Sequence, residues 1–90
     1  MRYTFWVMAR VTLTAKARMR ANKRRVMAAL RNAGMPLLVD NRDGIWRLYF
    51  IGTDDAGVEL ELILVPHATQ DWTWVCIHAM PTKYRKGGAQ

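Results

Sequence analysis

The 90-residue chain contains no serine, has one cysteine, and carries no acidic residue outside positions 40–71. The absence of serine excludes a serine nucleophile. The lone Cys76 excludes a disulfide within the chain, which is typical of a reducing compartment. No apolar run approaches the ~18 residues that span a bilayer, and Arg10 interrupts the short apolar stretch before it, which argues against a signal peptide. We therefore expect a cytoplasmic protein that does not enter a membrane.

Metal and phosphate sites of familiar spacing are also missing. His67, Cys76 and His78 have no evident fourth ligand for a zinc site. The chain lacks a Gly-rich loop of the kind that cradles phosphate groups. We expect neither a metal nor another cofactor, and we expect Cys76 to be a small buried hydrophobic residue.

Positive charge is present in excess and is unevenly distributed. The formal net charge is +7, and nine of the 14 lysines and arginines lie within residues 2–31. Three more lie within residues 83–86, whereas all seven acids occupy the middle of the chain. Basic segments on either side of an acidic middle indicate a negatively charged partner, either a nucleic acid or an acidic protein segment.

The stretch 14–34 is predicted to form one continuous helix. It is rich in alanine, arginine, lysine, methionine and leucine, which are strong helix formers. Thr14 is a suitable N-cap, Gly34 suits the left-handed position at a helix end, and Pro36 prevents continuation. A projection of about 100° per residue separates an apolar face from a cationic one. The predicted buried face consists of Ala15, Met19, Asn22, Val26, Leu30 and Ala33.

The cationic face of this helix contains no acid. Its charged residues are Lys16, Arg20, Lys23, Arg24 and Arg31. Helix surfaces usually mix charges of both signs, because like charges three or four residues apart repel each other. We therefore predict that these residues bind RNA or another nucleic acid, or an acidic protein. A face that is merely solvated is the alternative.

Strands are predicted by alternation in three of the other segments and by aromatic and β-branched residues in Ile45–Gly52. Met35–Asp40 is a short extended piece after Pro36 that suits an edge strand. The expected strands are Tyr3–Leu13, Met35–Asp40, Ile45–Gly52, Val58–Val65 and Trp72–Met80. Short connections imply antiparallel neighbours. The predicted fold is α+β, with one main basic helix packed on one face of a curved, mostly antiparallel sheet of four or five strands. Residues 1–86 form the single predicted domain, and residues 87–90 a disordered tail.

The last predicted strand carries residues suited to chemistry. Its alternation puts Trp74, Cys76 and His78 on one face, and an earlier strand carries Arg47 and Tyr49 together. If the two faces coincide, the sheet presents aromatic rings for stacking on RNA bases beside a cation and a histidine. Structural roles stay open at this point. His78 suits a hydrogen-bonded position on a half-buried sheet, and Trp46 and Trp74 suit the core.

Cleavage of RNA by its own ribose 2′-OH needs no metal, only proton transfer and stabilisation of charge. Histidine exchanges protons near neutral pH, so His78 is one candidate for the proton transfer and Tyr84 is the other. Arg47 would stabilise charge on the scissile phosphate. Lys83 and Arg85 supply further cations in the short segment after the last strand.

Three short stretches carry a resemblance to a known family. Val11–Arg20 is similar to an opening strand followed by an alanine, an Arg-Met pair and a basic helix. Val26–Asn32 is similar to a helix end with the pattern Val-x-x-Ala-Leu and a polar turn. Val75–Pro81, followed by Lys83 and Arg85, is similar to a closing strand and basic tail. Together these stretches resemble the RelE/ParE-like superfamily of toxins, and especially its BrnT-like group.

The resemblance implies a sheet with helix packing on one face and a basic cleft on the other. It also implies RNA cleavage, either on the ribosome or on free RNA, and neutralisation by a separate antitoxin. The family's basic strand position corresponds to Arg47. Its end-of-strand and tail positions correspond to His78, Lys83, Tyr84 and Arg85.

Two features depart from the family pattern. The histidine that often opens the first helix in relatives is replaced by Thr14 or Ala15. The turn that usually divides the helical region is not apparent around Asn22.

Three hypotheses follow. The leading one is a toxin-type endoribonuclease of a bacterial or phage toxin–antitoxin-like system, which cleaves RNA without a metal. The alternative is a non-catalytic phage or mobile-element protein that grips nucleic acid or an acidic host protein through its basic helix. The third is an assembly subunit, with a possible oligomer formed by pairing an exposed strand edge with a second copy of the chain.

Overall fold

The computed structural model describes residues 10–84. In chain order the elements are β1 (Arg10–Leu13), α1 (Ala15–Arg20), α2 (Lys23–Ala33), β2 (Leu38–Arg42), β3 (Ile45–Thr53), β4 (Glu59–Pro66), β5 (Thr73–Pro81) and a 3₁₀ helix (Thr82–Tyr84). The strands form one open sheet in the order β1-β5-β4-β3-β2, which is not strongly curled and is therefore flatter than predicted. The β1–β5 pair is parallel and the other pairs are antiparallel. The predicted α+β class and mostly antiparallel sheet are confirmed. Residues 3–9 of the first predicted strand and the predicted tail lie outside the described residues.

The helical region is interrupted, so the prediction of one continuous helix is wrong. α1 ends at Arg20, and Ala21 and Asn22 have extended backbone conformations before α2 begins. Asn22 is the N-cap of α2, since its side-chain oxygen accepts a hydrogen bond from the backbone N–H of Arg25 at 2.9 Å. Asparagine is a weak helix former but a preferred N-cap, which explains why the helix restarts here. The turn that seemed to be missing around Asn22 is therefore present.

The break changes which residues of the first helix are buried. Ala17 and Ala21 pack into the core. The predicted core residues Ala15 and Asn22 are exposed, and Met19 is 84% exposed. A single helical projection fails here because the extended residues between α1 and α2 reset its phase.

In α2 the predicted buried face is largely confirmed. Val26 and Leu30 are fully buried and Ala33 is partly buried against the same core. α2 packs mainly on β3, and the contact is close because Gly52 has no side chain. A Cβ atom at Gly52 would overlap the backbone carbonyl of Ala29. The helices and the facing side of the sheet thus share one hydrophobic core.

The caps and the first hairpin turn were also predicted. The Thr14 hydroxyl accepts a hydrogen bond from the N–H of Ala17 at 3.1 Å at the start of α1. Gly34 ends α2 with a positive φ of 76°. The turn between β2 and β3 consists of Asp43 and Gly44, whose φ angles are 55° and 79°. Two consecutive left-handed residues are typical of a type I′ hairpin turn.

Asp54 connects the β3–β4 turn to α2. Its Oδ1 accepts the backbone N–H groups of Ala56 and Val58, both at 2.9 Å. Its Oδ2 accepts a hydrogen bond from Nε of Arg25 on α2 at 2.7 Å. The Arg25 hydrogen bond, followed by the Val58 N–H, holds the pKa of the Asp54 carboxyl below its ordinary value. A buried carboxylate with these partners joins the helix layer to the sheet.

A β-bulge in β5 changes the predicted faces of that strand. Ile63 is paired with His78 and Leu64 with Cys76, which leaves Ile77 as an extra residue. Cys76 therefore faces the core with Leu64, whereas His78 faces the opposite side of the sheet with Ile63. The prediction that Cys76 and His78 share a face is wrong. We call the side opposite the helices the open face. Its residues include Arg47, Tyr49, Glu61, Ile63 and His78.

Candidate nucleic-acid interface

A small cleft lies between α1 and β5. Because β1 runs parallel to β5 and leads directly into α1, this helix packs against β5. Lys16, Ala17 and Arg20 of α1 and Ile77–Met80 of β5 line a cleft of about 40 Å³. Lys16 and Arg20 are exposed. The cleft therefore joins two of the predicted nucleic-acid-binding cations to the strand that carries His78.

His78 is held by a carboxylate from the neighbouring strand. Its Nε2 atom lies 2.8 Å from Oε2 of Glu61 on β4. The two side chains are half-buried, with 28% and 23% of their surface exposed. They meet because Ile63 is directly opposite His78, and Glu61, two residues before Ile63 on the same face, is the diagonal neighbour of His78. The contact orients the imidazole ring on the open face, and residue His78 also lines the cleft.

This arrangement combines the parts of a proton-transfer site. Histidine gains and loses a proton near neutral pH, and a carboxylate bound to one ring nitrogen fixes which nitrogen carries the proton. Lys16 and Arg20 add positive charge at the same cleft. A histidine, its carboxylate partner and two cations suit a reaction at an anionic group.

Of the residues predicted to form a stacking surface with His78, Tyr49 and Arg47 share its face of the sheet and Trp74 does not. Tyr49 is paired with Ile63, which is paired with His78, so the three residues form a row across the open face. Arg47 lies on the same face two residues before Tyr49. The sheet spacings put its Cα about 12 Å from that of His78, so the two residues share the open face without being neighbours. Trp74 lies on the other side and packs against the core, so its predicted place beside His78 is wrong.

Arg47 has an unsatisfied nitrogen. Its Nη1 atom is buried and has no hydrogen-bond partner among the described residues. A desolvated guanidinium nitrogen without a partner is unfavourable.

The residues after β5 lie apart from the His78 cleft. The 3₁₀ helix contacts β4, and the Thr82 hydroxyl donates a hydrogen bond to Oε1 of Glu59 at 2.7 Å. Lys83 and Tyr84 are exposed, and the Lys83 Nζ lies 5.2 Å from the centroid of the Tyr84 ring. They form a cation–aromatic pair beyond the end of β5. Arg85 lies outside the described residues.

The remaining predicted cations are on α2. Lys23, Arg24 and Arg31 are exposed, as predicted. Arg24 lines a second cleft at the start of α2, which also contains the acids Asp54 and Asp55. The predicted cationic face therefore extends over two helices, and its α1 part is the one that reaches His78.

Glu61 was not identified from the sequence, although a signal was present. Glu59 and Glu61 alternate with leucines, and this pattern puts both carboxylates on the face away from the core. A half-buried carboxylate needs a polar partner. Which partner it finds depends on the register of β4 against β5, and the bulge sets that register.

Two other candidate residues have structural roles. The Nδ1 atom of His67 accepts hydrogen bonds from the backbone N–H groups of Thr69 and Gln70 at 3.1 and 3.0 Å, which orders the β4–β5 loop. Cys76 is fully buried, as predicted, and burial raises the pKa of its thiol to about 11. Residues 10–84 contain no group of three or more His, Cys, Asp or Glu side chains that would hold a metal ion.

No helix in the described part of the chain is long and apolar enough to cross a membrane. In comparisons with protein-family models, curated proteins and solved structures, nothing matches this chain.

Proposed function

We propose that this protein is a cytoplasmic, toxin-type endoribonuclease of a bacterial or phage toxin–antitoxin-like system. The observation that carries the proposal is the His78–Glu61 pair beside Lys16 and Arg20 at the α1–β5 cleft. The sequence resemblance also supports it, because the helix break at Asn22 removes one of the two departures from the family pattern. An acidic antitoxin would neutralise the exposed cations of α1 and α2.

In the proposed reaction, His78 is the general base. The Nε2–H group donates a hydrogen bond to the Glu61 carboxylate, and this tautomer leaves Nδ1 free to accept a proton. Nδ1 takes the proton of a ribose 2′-OH as that oxygen attacks the adjacent phosphorus. A new O–P bond then forms, the bond from phosphorus to the 5′ oxygen breaks, and the leaving oxygen takes a proton from water. The products are a 2′,3′-cyclic phosphate and a 5′-OH.

Charge stabilisation is divided between two places in this proposal. Lys16 and Arg20 adjoin His78, so they would stabilise the charge that develops on the scissile phosphate. Arg47, which is partly exposed on the open face, would instead bind a neighbouring phosphate. Tyr49 would offer a ring to a base along the same row. Lys83, Tyr84 and Arg85 would extend the RNA contact beyond β5.

The test measures cleavage of an end-labelled structured RNA in EDTA, with RNA affinity determined separately. The His78→Ala variant is expected to cleave about 100- to 10,000-fold more slowly, because it lacks the general base, with RNA affinity nearly unchanged. Arg20→Ala should reduce cleavage more than Arg31→Ala. Both variants remove one helix cation, but only Arg20 lines the cleft. Equal cleavage by wild type and His78→Ala would contradict the role of His78.

A non-catalytic nucleic-acid-binding protein is the second candidate. It is favoured by the exposed cations of α1 and α2, which no acid within either helix neutralises. Such a protein would cleave neither free RNA nor mRNA on translating ribosomes. It would retain RNA with an affinity that falls steeply as salt rises, and Arg20, Lys23 and Arg24 would dominate that affinity.

A further inference from the structure

The outer edge of β2 is a long, straight strand edge. Within residues 10–84, β2 pairs with β3 on one side only, and the ladder from Leu38–Tyr49 to Arg42–Ile45 shows no register shift. Alternate backbone N–H and C=O groups of an edge strand point outward without a partner strand. Natural edges are often protected by charged side chains, proline or a bulge; β2 contains no proline, and its two charged side chains, Asp40 and Arg42, pair with each other.

Exposed apolar side chains concentrate at this edge. Of the nine large hydrophobic residues exposed in the described part of the chain, six lie in β2, its lead-in or the start of β3. They are Met35, Leu37, Leu38, Val39, Ile45 and Trp46. Leu37 and Leu38 also line an apolar hollow of about 310 Å³ beside β3 and β4. Single exposed hydrophobic residues are normal, whereas a contiguous group of them indicates an interface.

The charge of this edge favours a second copy of the chain over a nucleic acid or an acidic protein. Asp40 and Arg42 form an ion pair at 3.1 Å, so β2 itself is neutral. The cations of α1 lie against β5, at the far side of β4 and β3 from this edge. The strand edge itself therefore offers a polyanion no net charge, whereas antiparallel edge pairing of identical strands is self-complementary.

We propose that two copies of the chain associate through their β2 edges, giving a dimer with one continuous ten-stranded sheet. A symmetric antiparallel register that keeps the helices of both copies on one side pairs one residue of β2 with the same residue of the second copy. A register centred on Asp40 puts like charges directly opposite each other, which is destabilising. The proposed register is centred on Val39, which places the exposed Leu37, Leu38 and Val39 close to the two-fold axis. This dimer does not depend on the proposed ribonuclease activity, and it leaves the α1–β5 cleft uncovered.

The test begins with the mass of the protein in solution by sedimentation equilibrium. The wild type is expected to show twice the chain mass of 10.4 kDa, decreasing toward the monomer on dilution. Val39→Lys should remain monomeric at concentrations where the wild type is dimeric. Met19→Lys makes the same type of change at an exposed position on α1 and should leave the dimer intact. Circular dichroism of both variants checks that they are folded.

Cysteine substitution tests the register, and it remains informative if Val39→Lys fails to fold. In the proposed dimer the two Val39 positions are about 5 Å apart, within reach of a disulfide. The two Asn41 positions are about 14 Å apart by strand geometry. Oxidised glutathione should therefore link Val39→Cys into a covalent dimer and leave Asn41→Cys unlinked, while the buried Cys76 does not react.

Three results would overturn the proposal. A wild type that is monomeric at all concentrations would assign the edge to a strand of a different protein. A dimer unaffected by Val39→Lys would place the interface elsewhere. Linking of Asn41→Cys at the same rate as Val39→Cys would reject the proposed register.

Discussion

The two ends of β3 have a similar apolar composition but different surroundings. At the later end, Phe50 and Gly52 are buried beneath α2. At the earlier end, Ile45 and Trp46 are 48% and 49% exposed in the hairpin with β2. Trp46 therefore does not have the core position that suited it in the sequence. The comparison shows that burial in this chain depends on how far the helices extend over the sheet.

The same comparison separates two kinds of surface. The helix-covered region carries the exposed cations of α1 and α2, with the His78 cleft at the α1–β5 contact. The uncovered hairpin carries a neutral strand edge with exposed leucine, valine and tryptophan side chains. A charged surface at one end and an apolar surface at the other allow two partners to bind without competing.

The largest expected effect comes from comparing one leucine in each region. Leu30→Ala removes a fully buried side chain of α2 and should lower the free energy of unfolding by about 2–5 kcal/mol. Leu38→Ala truncates an exposed side chain of β2 and should change it by less than about 0.5 kcal/mol. Urea unfolding at low protein concentration, where association does not contribute, measures both. Similar losses for the two variants would contradict the contrast.

A smaller effect is expected at the contact between α2 and β3. Gly52→Ala adds a Cβ atom where the carbonyl of Ala29 already lies, so the helix must shift, at a cost of about 1–3 kcal/mol. Gly57→Asn is the control, because Gly57 has open space around it and asparagine tolerates its positive φ. Thermal unfolding should show a clear decrease for Gly52→Ala and a much smaller one for Gly57→Asn.

The smallest expected effect concerns the link between the layers and depends on pH. The pKa of Asp54 is lowered in the folded protein, chiefly by Arg25. Its ionised form therefore stabilises the fold above the ordinary carboxyl range, and this contribution is lost as pH falls from about 4. Asp54→Asn should lower the urea midpoint at pH 7, and its difference from wild type should shrink in acid. Asp55→Asn, on the exposed neighbour, should leave the urea midpoint at pH 7 nearly unchanged.

The sequence was sufficient for elements whose pattern is local. Alternation identified β3 and β4 and their faces, and the glycines at 34 and 44 marked the helix end and the hairpin turn. The break at Asn22 was missed because alanine and arginine on both sides favour a helix, and this masked a residue better suited to an N-cap. The predicted burial of Met19 and the omission of Ala17 from the predicted buried face both followed from that one error.

The grouping of the site residues depends on how neighbouring strands pair, which the sequence of a single strand does not reveal. The alternation of β5 could not reveal a bulge at Ile77, because an extra residue is defined only against a partner strand. The bulge moves His78 to the open face, leaves Trp74 on the core side and brings Glu61 within hydrogen-bond distance of the imidazole. The individual residue types indicated chemistry, but their grouping required the register.

The parallel pairing of β1 with β5 has a consequence for synthesis of the protein. Arg10 is paired with Thr73 and Leu13 with Cys76, so the sheet is completed by contacts between distant parts of the chain, which form slowly. α1 leaves the ribosome long before the strand against which it packs has been translated. Lys16 and His78 therefore meet only after β5 has emerged, and a nascent chain that ends before Thr73 has no assembled cleft. The cell would encounter an assembled cleft only on molecules whose β5 strand has already been translated and released from the ribosome.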